Sequence, residues 1–296
     1  MPTLLDFRRR IRSVKNSQQI TRAMKFVAAA RLRRAQEAAL AARPYAQELA
    51  RVLSSTMARI QEPQHPLLER REEKNVLAIV LTGERGLAGA FNTNILKKAN
   101  EFFRASRDKK VVTIAVGKKG RDALKKAGFT FAGEWVNVLA RVEFKTAREI
   151  ARLATDLYAE TKVDSVYIIF SEFKSVMTAN LTVEKLLPVE AIREEKGSNE
   201  EKKSGKATEV QVDYIYEQPE AQLLDKLLPR YVETQILRAM LESSASEYAA
   251  RMTAMESATK NAGDVIEALT LYMNKVRQAA ITKEIIEIVS GASYGS

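Results

Sequence analysis

The chain has 296 residues, is 46% hydrophobic, and carries 48 Lys and Arg against 37 Asp and Glu, a formal net charge of +11 at pH 7. It has no cysteine, which removes disulfides, thiolate nucleophiles and Cys-ligated metals together. No apolar run approaches the ~20 residues that cross a bilayer, and the opening MPTLLDFRRR lacks the apolar core of a secretory signal. The expectation is a soluble chain, or one held at a surface by partners, whose basic excess suits acidic ones.

Residues from about Thr3 to Ile60 read as helix: they contain no Gly, their first internal Pro is Pro44, and Ala, Arg, Gln, Leu and Lys dominate. Asp6 suits the N-terminal end of that helix. The stretch from Pro63 to Glu73 reads as a break. Between about Asn75 and Leu187 strand and helix patterns alternate. Val76–Thr82, Val111–Val116 and Ser165–Phe170 are short apolar runs of the kind buried strands show, and helical stretches lie around Asn94–Arg104, up to Ala127 and over Lys145–Glu160. That rhythm predicts a small, mostly parallel, Rossmann-like α/β domain. Residues 193–209 are charged, with Gly and Ser and almost no large apolar group, and read as a flexible loop.

From about Arg230 the chain reads as helix nearly to its end. Leu241, Ala245, Tyr248, Met252, Met255, Thr259, Ala262, Ile266, Leu269, Met273, Val276 and Ala280 follow steps of three and four, and only Thr259 is not apolar. Such a stripe predicts a left-handed coiled coil, and ~60 helical residues span about 90 Å. A matching stripe, Ala28, Leu32, Ala35, Ala39, Ala42, Ala46, Leu49 and Leu53, lies in the first helix. The predicted fold class is therefore α/β plus a long antiparallel two-helix coiled coil made by the two terminal helices. The predicted divisions are residues 1–60 and 230–296 for the helices, 75–192 for the α/β domain, 193–209 for the loop and 210–229 for a segment returning toward the last helix.

Catalytic constellations are hard to find. GERGLAG at Gly83–Gly89 follows a strand and precedes a helix, but its glycines are spaced G-x-x-G-x-x-G, which is neither the dinucleotide fingerprint nor the phosphate loop. His65 is the only histidine and lies in a polar break, where solvation is the ordinary state, so neither a metal set nor a Ser-His-Asp triad assembles around it. The pairs Glu194/Glu195 and Glu200/Glu201 lie in the charged loop. No catalytic residue, cofactor site or metal site is expected. More informative is the first helix: between Met1 and Gln36, Arg8, Arg9, Arg10, Arg12, Lys15, Arg22, Lys25, Arg31, Arg33 and Arg34 face a single acid, Asp6. A solvated helix face usually mixes signs. The bias suits a helix laid on nucleic acid or one running through an acidic protein collar.

The residues favour the collar. Ile11–Gln36 (IRSVKNSQQITRAMKFVAAARLRRAQ) resembles the N-terminal signature of the gamma subunits of rotary F-type ATP synthases, Arg251–Tyr294 resembles their C-terminal signature, and Thr82–Ile95 (TGERGLAGAFNTNI) resembles the turn after the first strand of their α/β domain. The resemblance covers essentially the whole chain, and its cysteine-free loop departs from the chloroplast type and points to a bacterial source. It implies the central stalk of a proton-translocating ATP synthase. The coiled coil would turn inside a ring of three alpha and three beta subunits, and the globular part would sit with epsilon on the c-ring of the membrane sector. The chain would be peripheral to the cytoplasmic side of the cell inner membrane and non-catalytic by itself. By matching motifs, Met24, Arg251, Gln278 and Thr282 are expected to meet beta. Ile281, Ile285, Ile286, Ile288 and Val289 are expected to form an apolar bearing tip, and Tyr214, Tyr216 and Glu217 to meet the rotor ring. The alternative is a basic coiled-coil nucleic-acid-binding protein.

Overall fold

The structure is a computed structural model that describes residues 3–59, 65–189 and 220–294. Its chain order is α1 (Leu4–Arg59), a 3-10 turn at Pro66–Leu68, β1 (Asn75–Leu81), α2 (Phe91–Ala105), β2 (Lys110–Val116), α3 (Lys118–Lys126), β3 (Thr130–Trp135), α4 (Phe144–Ala159), β4 (Ser165–Phe173), β5 (Ala179–Leu187) and α5 (Glu220–Tyr294). Two compact units result: one of residues 1–33, 87–89 and 247–296, the other of residues 34–86 and 90–246. The proposed 193–209 loop, Tyr214, Tyr216 and Glu217 lie outside the described residues.

The larger unit is built on a five-stranded sheet of order β3-β2-β1-β4-β5. β1 runs parallel to β2 and β4, β2 parallel to β3, and β5 antiparallel to β4. β1 is central and buried on both faces, which is why its sequence is a continuous apolar run. Alternate side chains serve opposite faces. Leu77, Ile79 and Leu81 join Ile150 and Ala154 of α4, Leu53 of α1, and Leu224, Leu228, Val232 and Ile236 of α5 in one core. On the α2 side the Phe102 and Tyr167 rings meet at 4.9 Å.

Three details differ from the sequence expectation. β3 and β5 are strands that the apolar-run criterion passes over, because both are edges with one side partly exposed and carry polar residues accordingly. α5 begins at Glu220, ten residues before Arg230, and takes Pro229 into its interior. Leu224, Leu228, Val232 and Ile236 recur every four residues on a face that is almost fully buried, and that burial outweighs the hydrogen bond proline forfeits. His65, expected in solvent, has a side chain only 13% exposed. Its Nδ1 accepts the Leu67 amide at 3.0 Å, capping the 3-10 turn. Burial lowers its pKa, against the pull of the Asp225 carboxylate.

At the amino edge of the sheet, Glu73 gathers three donors. Lys109 Nζ lies at 2.6 Å and Lys185 Nζ at 3.0 Å, and the Tyr167 hydroxyl donates at 2.9 Å. Burial alone would raise the Glu73 pKa, but bonds from Lys109, Lys185 and Tyr167 hold it at about 2. A carboxylate lowered from about 4.5 contributes stability that is complete above the unfolded value and lost as pH falls toward 2. Glu73→Gln is therefore expected to lower stability at pH 7 by about 1 kcal/mol after screening. The gap in melting temperature to wild type should narrow from about pH 5 and close near pH 2. A gap independent of pH would show that packing, not charge, is what the substitution removes.

Candidate functional site: paired helices with an unpaired apolar end

In the smaller unit α1 and α5 run antiparallel, as five side-chain contacts show. Phe7 meets Tyr272 with ring centroids 5.2 Å apart, the Gln18 amide donates to the Thr259 carbonyl at 3.3 Å, and the Thr21 and Thr259 hydroxyls lie 2.8 Å apart. Lys25 pairs with Glu256 at 2.6 Å, and Arg31 lies 5.9 Å from the Tyr248 ring centre. Numbers rise along α1 and fall along α5 in equal steps. α1 opens with a capping box, the Thr3 hydroxyl accepting from the Asp6 amide while the Asp6 carboxylate accepts from the Thr3 amide. Bonds from Thr3 hold the Asp6 pKa down.

The predicted stripe of α5 is the covered face of the helix within this unit: Tyr248, Met252, Met255, Thr259, Ala262, Ile266, Leu269, Met273, Val276 and Ala280 are all buried or half-buried. The α1 stripe reaches farther toward the N-terminus than sequence reading traced it. Leu4, Phe7, Ile11, Val14, Gln18, Thr21 and Met24 carry it upstream of Ala28, and each is at least half-buried. Gln18 and Thr21 hid that extension, because an apolar criterion stops at polar residues. They are polar because Thr259 faces them, and this polar layer sets the register of the pair.

Leu87–Gly89, the end of the glycine-rich turn, also belongs to this unit. Ala88 is buried, and Gly89, with φ +54°, brings its backbone so near α5 that a Cβ there would stand 3.7 Å from the Ala254 Cβ.

The predicted contact residues fall into different environments. Met24 is half-buried on the α1 stripe. Arg251 is turned inward, its side chain 13% exposed, with its guanidinium 2.5 Å from Glu247 and stacked 5.7 Å from the Tyr248 ring centre. Gln278 and Thr282 are exposed, the Thr282 hydroxyl donating to the Gln278 carbonyl at 3.0 Å. The contacts to α1 stop short of this region: Phe7, near the start of α1, already sits at Tyr272. Beyond it Ile281, Ile285, Ile286, Ile288 and Val289 are between 48% and 71% exposed. Five large apolar side chains at helical spacing are thus turned to solvent on several faces of the helix. The basic side chains Arg8, Arg10, Arg12, Lys15 and Arg22 are exposed and form no ion pair among the described residues.

In doubly wound sheets a nucleotide binds at the carboxyl ends of the strands, its phosphates on helix N-termini. In the larger unit one such helix N-terminus, that of α3 after β2, is filled by the chain itself. The first three amides of α3 are taken in turn: Lys118 donates to the Glu84 carboxylate at 3.0 Å, Lys119 to the Gly83 carbonyl at 3.2 Å and Gly120 to the Thr82 hydroxyl at 2.7 Å. The other Glu84 oxygen accepts from the Val138 amide at 3.2 Å. A carboxylate from the glycine-rich turn thus stands where a phosphate would. Among the described residues no group of three or more His, Cys, Asp or Glu is placed to hold a metal ion.

A family model described as ATP synthase matches residues 3–293. The ATP synthase gamma chain of Solibacter usitatus is 48% identical over 297 residues, covering 99% of both chains. The chain belongs to the ATP synthase gamma chain family. The gamma chain of Desulforamulus reducens is likewise 48% identical over 99% of both chains, and that of Chloroherpeton thalassium is 44% identical over 99% of this chain and 98% of its own. Among solved structures, a chain of the Euglena gracilis mitochondrial ATP synthase OSCP/F1/c-ring assembly aligns with a TM-score of 0.66 at 19% identity, covering 98% of this chain and 93% of that one. A chain of the Tetrahymena thermophila mitochondrial ATP synthase central stalk and c-ring aligns with a TM-score of 0.58 at 23% identity, covering 81% and 99%. These two likenesses show that the fold is shared. The nucleic-acid alternative finds no support among these relatives.

Proposed function

We propose that this gamma-family chain is the non-catalytic rotor shaft of a proton-driven F-type ATP synthase, working peripherally on the cytoplasmic side of the membrane. The observation that carries the reading is a family match across the whole chain to a protein whose two terminal helices pair antiparallel and end in an unpaired apolar segment. A nucleotide-processing role for the chain alone is opposed by the glycine spacing of Gly83–Gly89, which matches neither nucleotide fingerprint, and by Glu84 and Thr82, which occupy the N-terminus of α3.

The alpha and beta subunits supply the collar, and epsilon and the c-ring hold the other end. The unpaired segment Ile281–Val289 seats in an apolar sleeve of the collar, while the exposed arginines of α1 and the polar groups Gln278 and Thr282 meet acidic and polar loops of beta. Met24, half-buried beside α5, offers only its edge. Arg251 engages beta by adding a partner carboxylate beside Glu247, so that both buried charges stay paired. Tyr214, Tyr216 and Glu217 are assigned to the ring contact on motif resemblance alone. Rotation acts as differential binding: the helix pair presents a different face to each beta subunit, and each face favours one conformation of the catalytic site. Nucleotide chemistry belongs to beta.

Mixing the purified full-length chain with alpha and beta tests the proposal. One copy should be held per three alpha–beta pairs, with ATP hydrolysis dependent on its presence. Failure to incorporate, with retention on DNA that falls steeply with salt, would overturn the shaft reading in favour of a nucleic-acid binder.

A further inference from the structure

A cavity of about 510 Å³ lies in the α/β unit, apart from the carboxyl edge of the sheet. It opens at the amino edge, where α2 ends and β2 and β3 begin. Its floor is apolar: Phe103 and Phe129 meet with ring centroids 4.4 Å apart, beside Val111. Its rim is cationic: Arg104 sits in the last turn of α2, Arg107 follows one turn on, and Lys109 closes the side. Lys109 is engaged by Glu73. Arg104 and Arg107 are exposed and form no ion pair among the described residues.

Asn100, one turn before Arg104, adds an amide to the lining, and Ser106, between the arginines, adds a hydroxyl. Lys110, Lys125 and Lys126 are exposed nearby in sequence at the same edge, where helices end and strands begin, and Asp108 is the one acid between Arg107 and Lys109. A cation at a helix C-terminus complements the helix dipole. One arginine serves that purpose; two at neighbouring positions repel each other, and three further lysines deepen the surplus. Two guanidinium groups lining a cavity with an apolar floor match a phosphate, whose tetrahedral oxygens each fork can take in pairs, and a less polar body attached to it.

We propose that this cavity is a phosphate-binding site, with Arg104 and Arg107 gripping the phosphate oxygens, Asn100 and Ser106 supplying neutral hydrogen bonds, and the Phe103–Phe129 floor carrying the organic part of a phosphate ester. The site is independent of the shaft reading, since none of these residues belongs to the helix pair.

The test is a titration of the ¹⁵N-labelled full-length chain, following the side-chain Nε–H signals of Arg104 and Arg107 and the Ser106 amide. Inorganic phosphate is added at constant ionic strength, with chloride as the control. Saturating shifts at these three signals with phosphate, absent with chloride, are expected. Arg104→Glu should weaken binding at least about tenfold, the usual scale for losing a charge-assisted contact, and Arg107→Lys should weaken it less, because it keeps the charge but loses the fork. Short-chain phosphatidylglycerol, with phosphatidylcholine as its control, separates the sources. Saturation by free phosphate marks a soluble ligand, and saturation by phosphatidylglycerol alone marks a lipid headgroup. If neither saturates the three signals, or if Arg104→Glu changes nothing, the proposal falls. Both arginines are exposed, so these variants leave the fold intact.

Discussion

Replacing Gly117 by alanine is expected to destabilise the α/β unit by about 3–5 kcal/mol, a large share of the 5–15 kcal/mol that holds an ordinary domain together. Two costs add. Gly117 sits at φ +98°, a conformation that costs an L-residue on the order of 1–3 kcal/mol. A Cβ built there would also stand 1.9 Å from the Thr82 carbonyl oxygen. That oxygen belongs to the backbone directly after β1, which pairs with β2 and β4 and has no room to withdraw. Relief would require α3 to move off the three groups that accept its first amides. Urea unfolding followed by fluorescence of Trp135, the single tryptophan, reads the change at close range, because the Trp135 carbonyl accepts the Gly117 amide at 2.8 Å. Gly128→Ala is the control: φ there is +80°, but nothing lies within 4 Å of the added Cβ. It should cost about 1 kcal/mol. Equal losses for the two variants would mean that backbone conformation alone matters and that the approach to Thr82 is not tight.

The second large effect concerns the end of α5. Deleting Ile281–Ser296 is expected to weaken incorporation into an alpha–beta assembly by at least about 100-fold and to lower hydrolysis in parallel. Covering five half-exposed aliphatic side chains is worth about 1 kcal/mol each, so even partial seating exceeds the ~2.7 kcal/mol that a factor of 100 represents. The isolated chain should hardly notice the deletion: the side chains of residues 281–290 face solvent and the contacts to α1 lie upstream, so urea stability should change by less than about 1 kcal/mol. It should also become more soluble, having lost its largest run of exposed aliphatics. Undiminished incorporation and turnover would show that this segment is not a seated surface.

How much of this was readable beforehand depends on how completely each element is buried. β1, β2 and β4 lie inside the sheet, and their unbroken apolar runs announce them. β3, with Gly133 and Glu134, and β5, with Asn180 and Thr182, are edges whose identity comes from a neighbour's backbone, and no local pattern marks them. The coiled-coil stripe was legible wherever it stayed apolar. It vanished at Gln18 and Thr21, since a polar layer is meaningful only once its partner at Thr259 is known. Arg251 has the composition of a surface residue, and nothing in its spacing reveals that Glu247 and Tyr248 draw it inward.

One further stretch went unremarked because it is polar: Glu242, Ser243, Ser244, Ser246 and Glu247 on α5 are all buried. Ser244 donates to the Leu139 carbonyl and Ser246 to the Ser171 carbonyl of β4, so small hydroxyl residues here let loop and strand backbone approach the helix closely. The signal was present as a run of small residues inside a helix otherwise striped with Met, Tyr and Leu. Burial raises the Glu242 pKa, against the attraction of Arg238.

The closed phosphate position at the head of α3 has a consequence for how such a part behaves in a living cell. A nucleotide-binding fold normally doubles as a gauge, tightening and loosening as ATP and ADP rise and fall. At the head of α3, Glu84 and Thr82 already take the amides that such a gauge would read. A helix end stoppered by its own chain is one place fewer where a passing anion can loosen or tighten the packing around it.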